Sequence, residues 1–379
     1  MHWQIAWYHQ IANFSFLPVT MPELTEVIQT TCNLHGGEFR ATLTNYFGTQ
    51  SLIFDRVEVG LDPMFHVKQP LFFHNSRIFK IPAGKAVVSD PCQLTVHPGQ
   101  KLYFRISSSF RQTYCDFAST YNTKLTNASL IRRSNHLPTL RTTFTARRGW
   151  FSLAQVEVLS GTKAAVIEFT GDSLAEMGLI SDELTEQLYL KYPNQLTVLN
   201  SGISGNRLLY NAPQDEPLYQ TFGTSLAERL PLLMRLHRPK LVICFVGSND
   251  LLLPLISRQA IKQQINPTDF TAQVEELFNL VKTAQSQLLF SNLLPFKLGH
   301  GQIHHSANYE QALTLRKLVN SELAHLEPFT STATAVVKED QLVPAYDLGD
   351  HLHLNQAGGQ LLTSQLLPAV EEKLLSISQ

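Results

Sequence analysis

The chain has four cysteines in 379 residues, Cys32, Cys92, Cys115 and Cys244, and no two of them stand in a CxxC spacing. That excludes a cysteine zinc site and a dithiol redox pair, and leaves buried free thiols as their use, Cys244 within an apolar strand above all. Charge of one sign is missing too. Lys plus Arg is 30 against 31 for Asp plus Glu, so no net field draws the chain onto nucleic acid or an anionic membrane, and neither is expected as a partner. The one basic concentration, Arg132, Arg133, Arg141, Arg147 and Arg148, is interleaved with Ser, Thr, Asn and Pro and reads as a solvated connecting stretch. No apolar run reaches the length of a bilayer span. The start, Met1-His2-Trp3-Gln4-Ile5-Ala6-Trp7, lacks the basic and apolar regions of an export signal, so the expected location is cytoplasmic. Repeats and low-complexity tracts are absent, and no motif specifies an oligomeric state.

What is present is a globular composition, 44% hydrophobic and 16% charged, in a chain long enough for two domains. From Glu38 to Val158, short alternating runs such as Phe39-Arg40-Ala41-Thr42-Leu43 and Leu102-Tyr103-Phe104-Arg105-Ile106 are separated by Pro82-Ala83-Gly84 and His97-Pro98-Gly99. That pattern predicts an all-β sandwich or jelly-roll-like domain over residues 1–160. After Gly161 the period changes. Strand runs at Ala164–Phe169, Leu196–Leu199, Leu241–Val246 and Leu288–Phe290 alternate with helical spacing at Asp182–Lys191, Thr271–Gln285 and Tyr309–Leu326. Residues 161–379 are therefore expected to form an α/β domain around a mostly parallel sheet.

The loops after these strands carry reactive residue types. Gly171-Asp172-Ser173 closes the first strand, and Asn200-Ser201-Gly202-Ile203-Ser204-Gly205-Asn206 follows the second. Gly247-Ser248-Asn249-Asp250 follows the third, and Asp350-His351-Leu352-His353 lies near the C-terminus. Ligands of parallel sheets sit beyond the carboxyl ends of the strands, which would gather Ser173, Gly205 and Asn249 at one crevice. A serine hydroxyl is a poor nucleophile without a base, and an imidazole, which titrates near ~6.5, can be that base. His353 would take the proton while Asp350 holds the ring's other nitrogen. Attack on an acyl carbon makes an oxyanion; the backbone N–H groups of Ser173 and Gly205 and the Asn249 amide are the candidate donors, one of which is worth roughly 2.7–4 kcal/mol in a comparable site. Asp172, Asn206, Arg207 and Asp250 read as polar braces of these loops. His351 receives no role. Each residue alone has a plainer reading: Ser173 or Asn249 as a helix N-cap, Gly205 as a positive-φ turn. Those readings leave the order of the blocks unexplained.

The four blocks resemble those of the GDSL-like, or SGNH, hydrolases, named for a Ser, Gly, Asn and His that here are Ser173, Gly205, Asn249 and His353. The resemblance spans most of residues 161–379. It implies a flavodoxin-like sheet flanked by helices and a serine esterase mechanism through an acyl-Ser173 intermediate, with no cofactor and no metal. Leu43-Thr44-Asn45-Tyr46-Phe47-Gly48-Thr49 and Ile81-Pro82-Ala83-Gly84 are similar to the β-domain that precedes the catalytic domain in a bacterial subgroup. Two departures stand out: Leu174-Ala175-Glu176-Met177 where the subgroup continues Ile-Thr-Asp-Gly, and Leu354 where Pro commonly follows the histidine. With no extended apolar lid in the sequence, the resemblance favours short acyl esters, O-acetyl groups on carbohydrates among them. A lipase or lysophospholipase is the alternative. Two other classes compete. A metal hydrolase would use Asp350, His351 and His353 with His300, His304 and His305, but that spacing matches no helical histidine pair and leaves Ser173 idle. A glycan-binding module would use Tyr46, Phe47, Phe72, Phe73 and Tyr103, although alternating strand aromatics more often form core.

Overall fold

The computed structural model describes residues 1–142, 146–298 and 307–377. They divide into two compact units, Met1–Ala165 with Thr185–Leu199, and Val166–Leu184 with Asn200–Gln379. In the first, the chain runs through β1 (His2–Tyr8), β2 (Leu24–Cys32), β3 (Gly36–Asn45), β4 (Arg56–Gly60), β5 (Lys68–Pro70), β6 (Lys85–Val88), β7 (Cys92–Val96), β8 (Gln100–Ser108), β9 (Asn127–Ile131) and β10 (Leu153–Ser160). Two five-stranded antiparallel sheets result: β1-β10-β3-β6, with β7 also on β3, and β9-β2-β8-β4-β5. Period-two alternation buries Phe39, Ala41 and Leu43 of β3 and Leu102, Phe104 and Ile106 of β8. The two inner faces share one core, in which Phe39 and Phe104 meet edge to face across the sheets at 6.1 Å.

The strands start at His2, well before the alternation becomes readable at Glu38. The reason lies in β2, buried at every position although it carries Thr25, Glu26, Gln29, Thr30 and Thr31. A strand covered on both faces has no polar side to alternate with. All four cysteines are buried and free, and burial pushes the Cys32 and Cys244 thiols up to about 12, which removes the reactive thiolate. Within the basic stretch Arg132, Arg133 and Arg141 are exposed, but Arg148 opens a strand, Arg148–Phe151, so the stretch is not all connection. Of the aromatics, Phe73 is core, stacked on Phe79 at 3.7 Å, while Tyr46 and Phe72 are exposed.

The α/β part runs β11 (Ala165–Gly171), α1 (Ser173–Glu176), α2 (Ser181–Lys191), β12 (Leu196–Gly202), α3 (Leu226–His237), β13 (Leu241–Phe245), α4 (Ser248–Ile256), α5 (Pro267–Thr283), β14 (Gln287–Ser291), α6 (Ala307–Leu323), β15 (Phe329–Thr330) and α7 (Gln356–Ile377). Strand order is β12-β11-β13-β14-β15, with β11–β13, β13–β14 and β14–β15 parallel. Helices flank the sheet: Leu226 and Leu230 of α3, Phe270 and Val274 of α5 and Val319 of α6 pack on Val242, Cys244, Leu288 and Phe290. Of these helices, α1, α3, α4 and α7 fall outside the predicted helical spacings, and for two of them the reason is plain. α4 is a nearly continuous buried run of Leu with Pro254 inside, so it shows no amphipathic period. α7 contains Gly358-Gly359 and Pro368; a Cβ on Gly359 would meet the Leu179 carbonyl at 1.9 Å, so close packing, not breakage, requires these glycines. No helix among the described residues is long and apolar enough to cross a membrane.

Candidate active site

β11, β12 and β13 end side by side at Gly171, Gly202 and Phe245, and the residues that follow them supply three of the four blocks. Gly171 holds φ +136° with its Cα against the Phe245 carbonyl, where a Cβ would sit at 1.8 Å. The chain then turns into α1. Asp172 is the N-cap of that short helix, its carboxylate accepting the Leu174 N–H at 3.0 Å. Ser173 is thereby freed of capping and its hydroxyl lies 2.8 Å from His353 Nε2. His353 Nδ1 is 2.6 Å from Asp350 Oδ2, and Asp350 Oδ1 accepts the N–H groups of Leu352 and His353 at 3.0 and 2.8 Å.

Burial pushes the Asp350 carboxyl up, but the hydrogen bond and charge of His353 and the two backbone donors outweigh it and hold it down at about 2. An ionised carboxylate only accepts. Nδ1 therefore donates to Asp350, and Nε2 is left to accept from the Ser173 hydroxyl. The three groups form one line along which a proton can leave the serine.

Asn249 is not a cap. α4 begins at Ser248 with Gly247 as its N-cap, and Asn249 lies in the first turn. Its Nδ2 donates to the Asn206 carbonyl at 3.1 Å and reaches Asp172 Oδ2 at a longer 3.4 Å. It bridges the residue before Ser173 and the residue after Gly205. Gly205 does take the positive φ of a turn, +79°, but a Cβ there would also strike the Phe222 ring at 2.2 Å. Among the described residues no protein acceptor meets the backbone N–H of Ser173 or of Gly205.

The bracing residues are buried, whereas Ser173, Gly205, Asn249 and His353 are part-exposed. Asp250 accepts the Leu208 and Leu209 N–H groups at 2.7 and 2.9 Å, and Asn206 Nδ2 donates to the Phe222 and Thr224 carbonyls at 2.7 and 2.8 Å. Burial raises Asp172 to about 7 against the pull of the Leu174 N–H, His353 and Arg229, with Asp250 pushing the same way as burial. It raises Asp250 to about 6 against the Leu209 and Leu208 N–H groups and Arg207. Arg207 donates to Gln263 Oε1, at 2.8 Å, and to the Asn211 carbonyl.

His351 belongs to a separate pair: its Nδ1 is 2.6 Å from Asp347 Oδ2, and its φ of 59° is left-handed. Asp350, His351 and His353 thus do not converge as metal ligands, each imidazole being tied to its own aspartate. His300, His304 and His305 lie outside the described residues. No group of His, Cys, Asp and Glu able to hold a metal ion occurs among the described residues.

Two residues at the site were given no role by the sequence. Glu176 accepts the Ser204 N–H, and the Arg229 guanidinium reaches Gly171, Ser201 and Asn206. The only sequence signal for Arg229 is a cation three residues after Leu226 and one before Leu230, at the margin of the buried stripe of α3.

Residues 169–361 match the model of the GDSL-like Lipase/Acylhydrolase family, and the chain belongs to that family. Among solved structures it is similar to a carbohydrate acetylesterase family member from Sinorhizobium meliloti, at 18% identity over 55% of this chain and 99% of that one, TM-score 0.40. It is also similar to a catalytic mutant of an acetylxylan esterase from Geobacillus stearothermophilus, at 17% identity over 55% and 95%, TM-score 0.38. A third is the inhibitor-bound aryl esterase of M. smegmatis, at 18% identity over 55% and 99%, TM-score 0.39. No curated protein matches the sequence.

Proposed function

We propose that this chain is a serine ester hydrolase acting on short acyl esters, O-acetyl groups on carbohydrates among them. The observation that carries the reading is the unbroken line from Ser173 Oγ to His353 Nε2 at 2.8 Å and from His353 Nδ1 to Asp350 at 2.6 Å. As Oγ bonds to the acyl carbon, its proton passes to Nε2 and the carbonyl electron pair moves onto oxygen. The N–H groups of Ser173 and Gly205 receive that oxyanion, joined by the Asn249 N–H whose 3.4 Å contact to Asp172 is long enough to be exchanged for it. Collapse breaks the bond to the alkoxide, which leaves with the proton from Nε2. Water then repeats the sequence on acyl-Ser173. The preference for short chains is supported by the part-exposed polar side chains beside the serine, Asn249 and His353, which present hydrogen-bonding groups rather than an apolar trough.

The test is a series of p-nitrophenyl esters from acetate to palmitate, followed by acetylated saccharides. The highest kcat/KM is expected at acetate or butyrate, and a maximum at palmitate would replace this substrate reading by the lipase one. Ser173→Ala should lower kcat by at least about 10³-fold, and a phosphonate probe should label the peptide containing Ser173. A label on another serine, or full turnover in Ser173→Ala, overturns the nucleophile.

A further inference from the structure

We propose that Arg229 is a positioning residue that fixes the three oxyanion donors relative to one another. The inference rests on the serine-hydrolase reading above and extends it to a residue that touches neither substrate nor reacting atoms. From α3, Arg229 Nη2 donates to the Gly171 carbonyl at 2.8 Å, Nη1 to the Ser201 carbonyl at 2.7 Å, and Nε to Asn206 Oδ1 at 3.0 Å. Each acceptor stands next to a different donor. Gly171 ends β11 two residues before Ser173. Ser201 is the penultimate residue of β12, ahead of Gly205. Asn206 follows Gly205, and its carbonyl takes the Asn249 amide at 3.1 Å.

A planar guanidinium with donors at fixed angles sets three acceptors at once, which the point charge of a lysine cannot do. The parts it joins are the ends of two neighbouring strands, β11 and β12, and the loop after β12 whose Asn206 carbonyl holds the Asn249 amide. Oxyanion stabilisation depends on donors sitting where the charge develops, so a small drift of one loop against another is felt in the transition state more than in substrate binding. The guanidinium charge also pulls the Asp172 carboxyl downward against burial.

Arg229→Lys and Arg229→Gln are compared with the unaltered chain in kcat, KM, thermal midpoint and inhibition by a small boronic acid that forms a tetrahedral adduct. Expected is a kcat lowered by roughly ten- to a hundred-fold with KM within about two-fold, a boronate affinity that falls in parallel, and partial recovery of the Gln variant by millimolar guanidinium. Lysine should recover less than added guanidinium does. A variant that folds and keeps kcat and boronate affinity while its thermal midpoint falls makes Arg229 a structural brace only and overturns the proposal. Using two variants keeps the comparison readable if one does not fold. Failure of the serine reading would show separately, as phosphonate labelling away from Ser173 in the unaltered chain, whatever the Arg229 variants do.

Discussion

Both units bury carboxylates, but for different ends. In the β unit Asp116 takes the Thr44 hydroxyl at 2.6 Å and the Tyr46 and Phe47 N–H groups at 2.7 and 2.8 Å, and so pins the bend that ends β3. Glu26 in β2 takes only the Phe151 N–H at 2.9 Å. In the α/β unit Asp172 and Asp250 are as deeply buried, yet their partners lie on loops that lead to Ser173, Gly205 and Asn249. A buried polar group must be satisfied or it destabilises the fold. In the β unit Asp116 meets that demand in a turn, and Glu26 meets only half of it through the Phe151 N–H. In the α/β unit the same demand ties loops from separate strands into one site.

If that contrast is right, substitutions at the α/β site should cost turnover, and those at the β-unit acids only stability. The largest effect should separate two neighbouring imidazoles. His351 and His353 each hold an aspartate at 2.6 Å, but the His351 side chain is 60% exposed and the His353 side chain 18%, and it is His353 that meets Ser173. His353→Ala should lower kcat by about 10³-fold or more, whereas His351→Ala should stay within about three-fold. Steady-state kinetics on a p-nitrophenyl ester decides it. If His351→Ala abolishes turnover and His353→Ala does not, the site has to be rebuilt around the Asp347 pair.

Asn249 comes next in size. Its amide should meet charge mainly in the transition state, so Asn249→Ala is expected to lower kcat by roughly a hundred-fold and leave KM nearly unchanged. A loss of thermal midpoint with kcat intact would place Asn249 with Asp116, as a residue that only holds loops together.

The order of strands and helices was legible where one face of an element is wet, as in β3 and β8, or where a covered strand is a short apolar run, as in β13, and illegible where a covered strand carries polar residues, as in β2, or a covered helix is apolar all round, as in α4. The blocks around Ser173, Gly205, Asn249 and His353 could be read because each follows a recognisable strand or repeats a family spacing. What they bond to could not. Asn249 answers to residues 77 and 43 positions away in the chain, and Arg229 to three carbonyl or amide oxygens at the ends of β11 and β12 and in the loop after β12. Periodicity reports which side of a helix is buried, not which distant carbonyl a side chain will find. Glu26 shows the same limit from the other direction: nothing local marks a glutamate as a core residue.

That glutamate supplies the smallest expected effect and the sharpest check on the contrast. It is fully buried, one carboxylate oxygen has no protein partner among the described residues, and burial raises it to about 8 against the pull of the Phe151 N–H. The folded chain therefore holds a proton that the unfolded chain, with an ordinary carboxylate near ~4.5, has already released. Where the native state binds more protons, stability falls as pH rises, so the loss should run from about pH 4.5 and level off above about pH 8. Asp172 and Asp250 act with the same sign but are spent by about 7 and about 6. The stretch between pH 7 and 8 therefore belongs mainly to Glu26. Glu26→Gln, neutral at every pH, should flatten that stretch of the unfolding free energy read from urea titrations by on the order of 1 kcal/mol. The pH profile of kcat/KM should not move, because the residue stands in the β unit and its carboxylate bonds to the Phe151 N–H of that same unit. A shifted activity profile in Glu26→Gln would mean that the acids of the β unit also serve the site, and the division of labour between the units would fail.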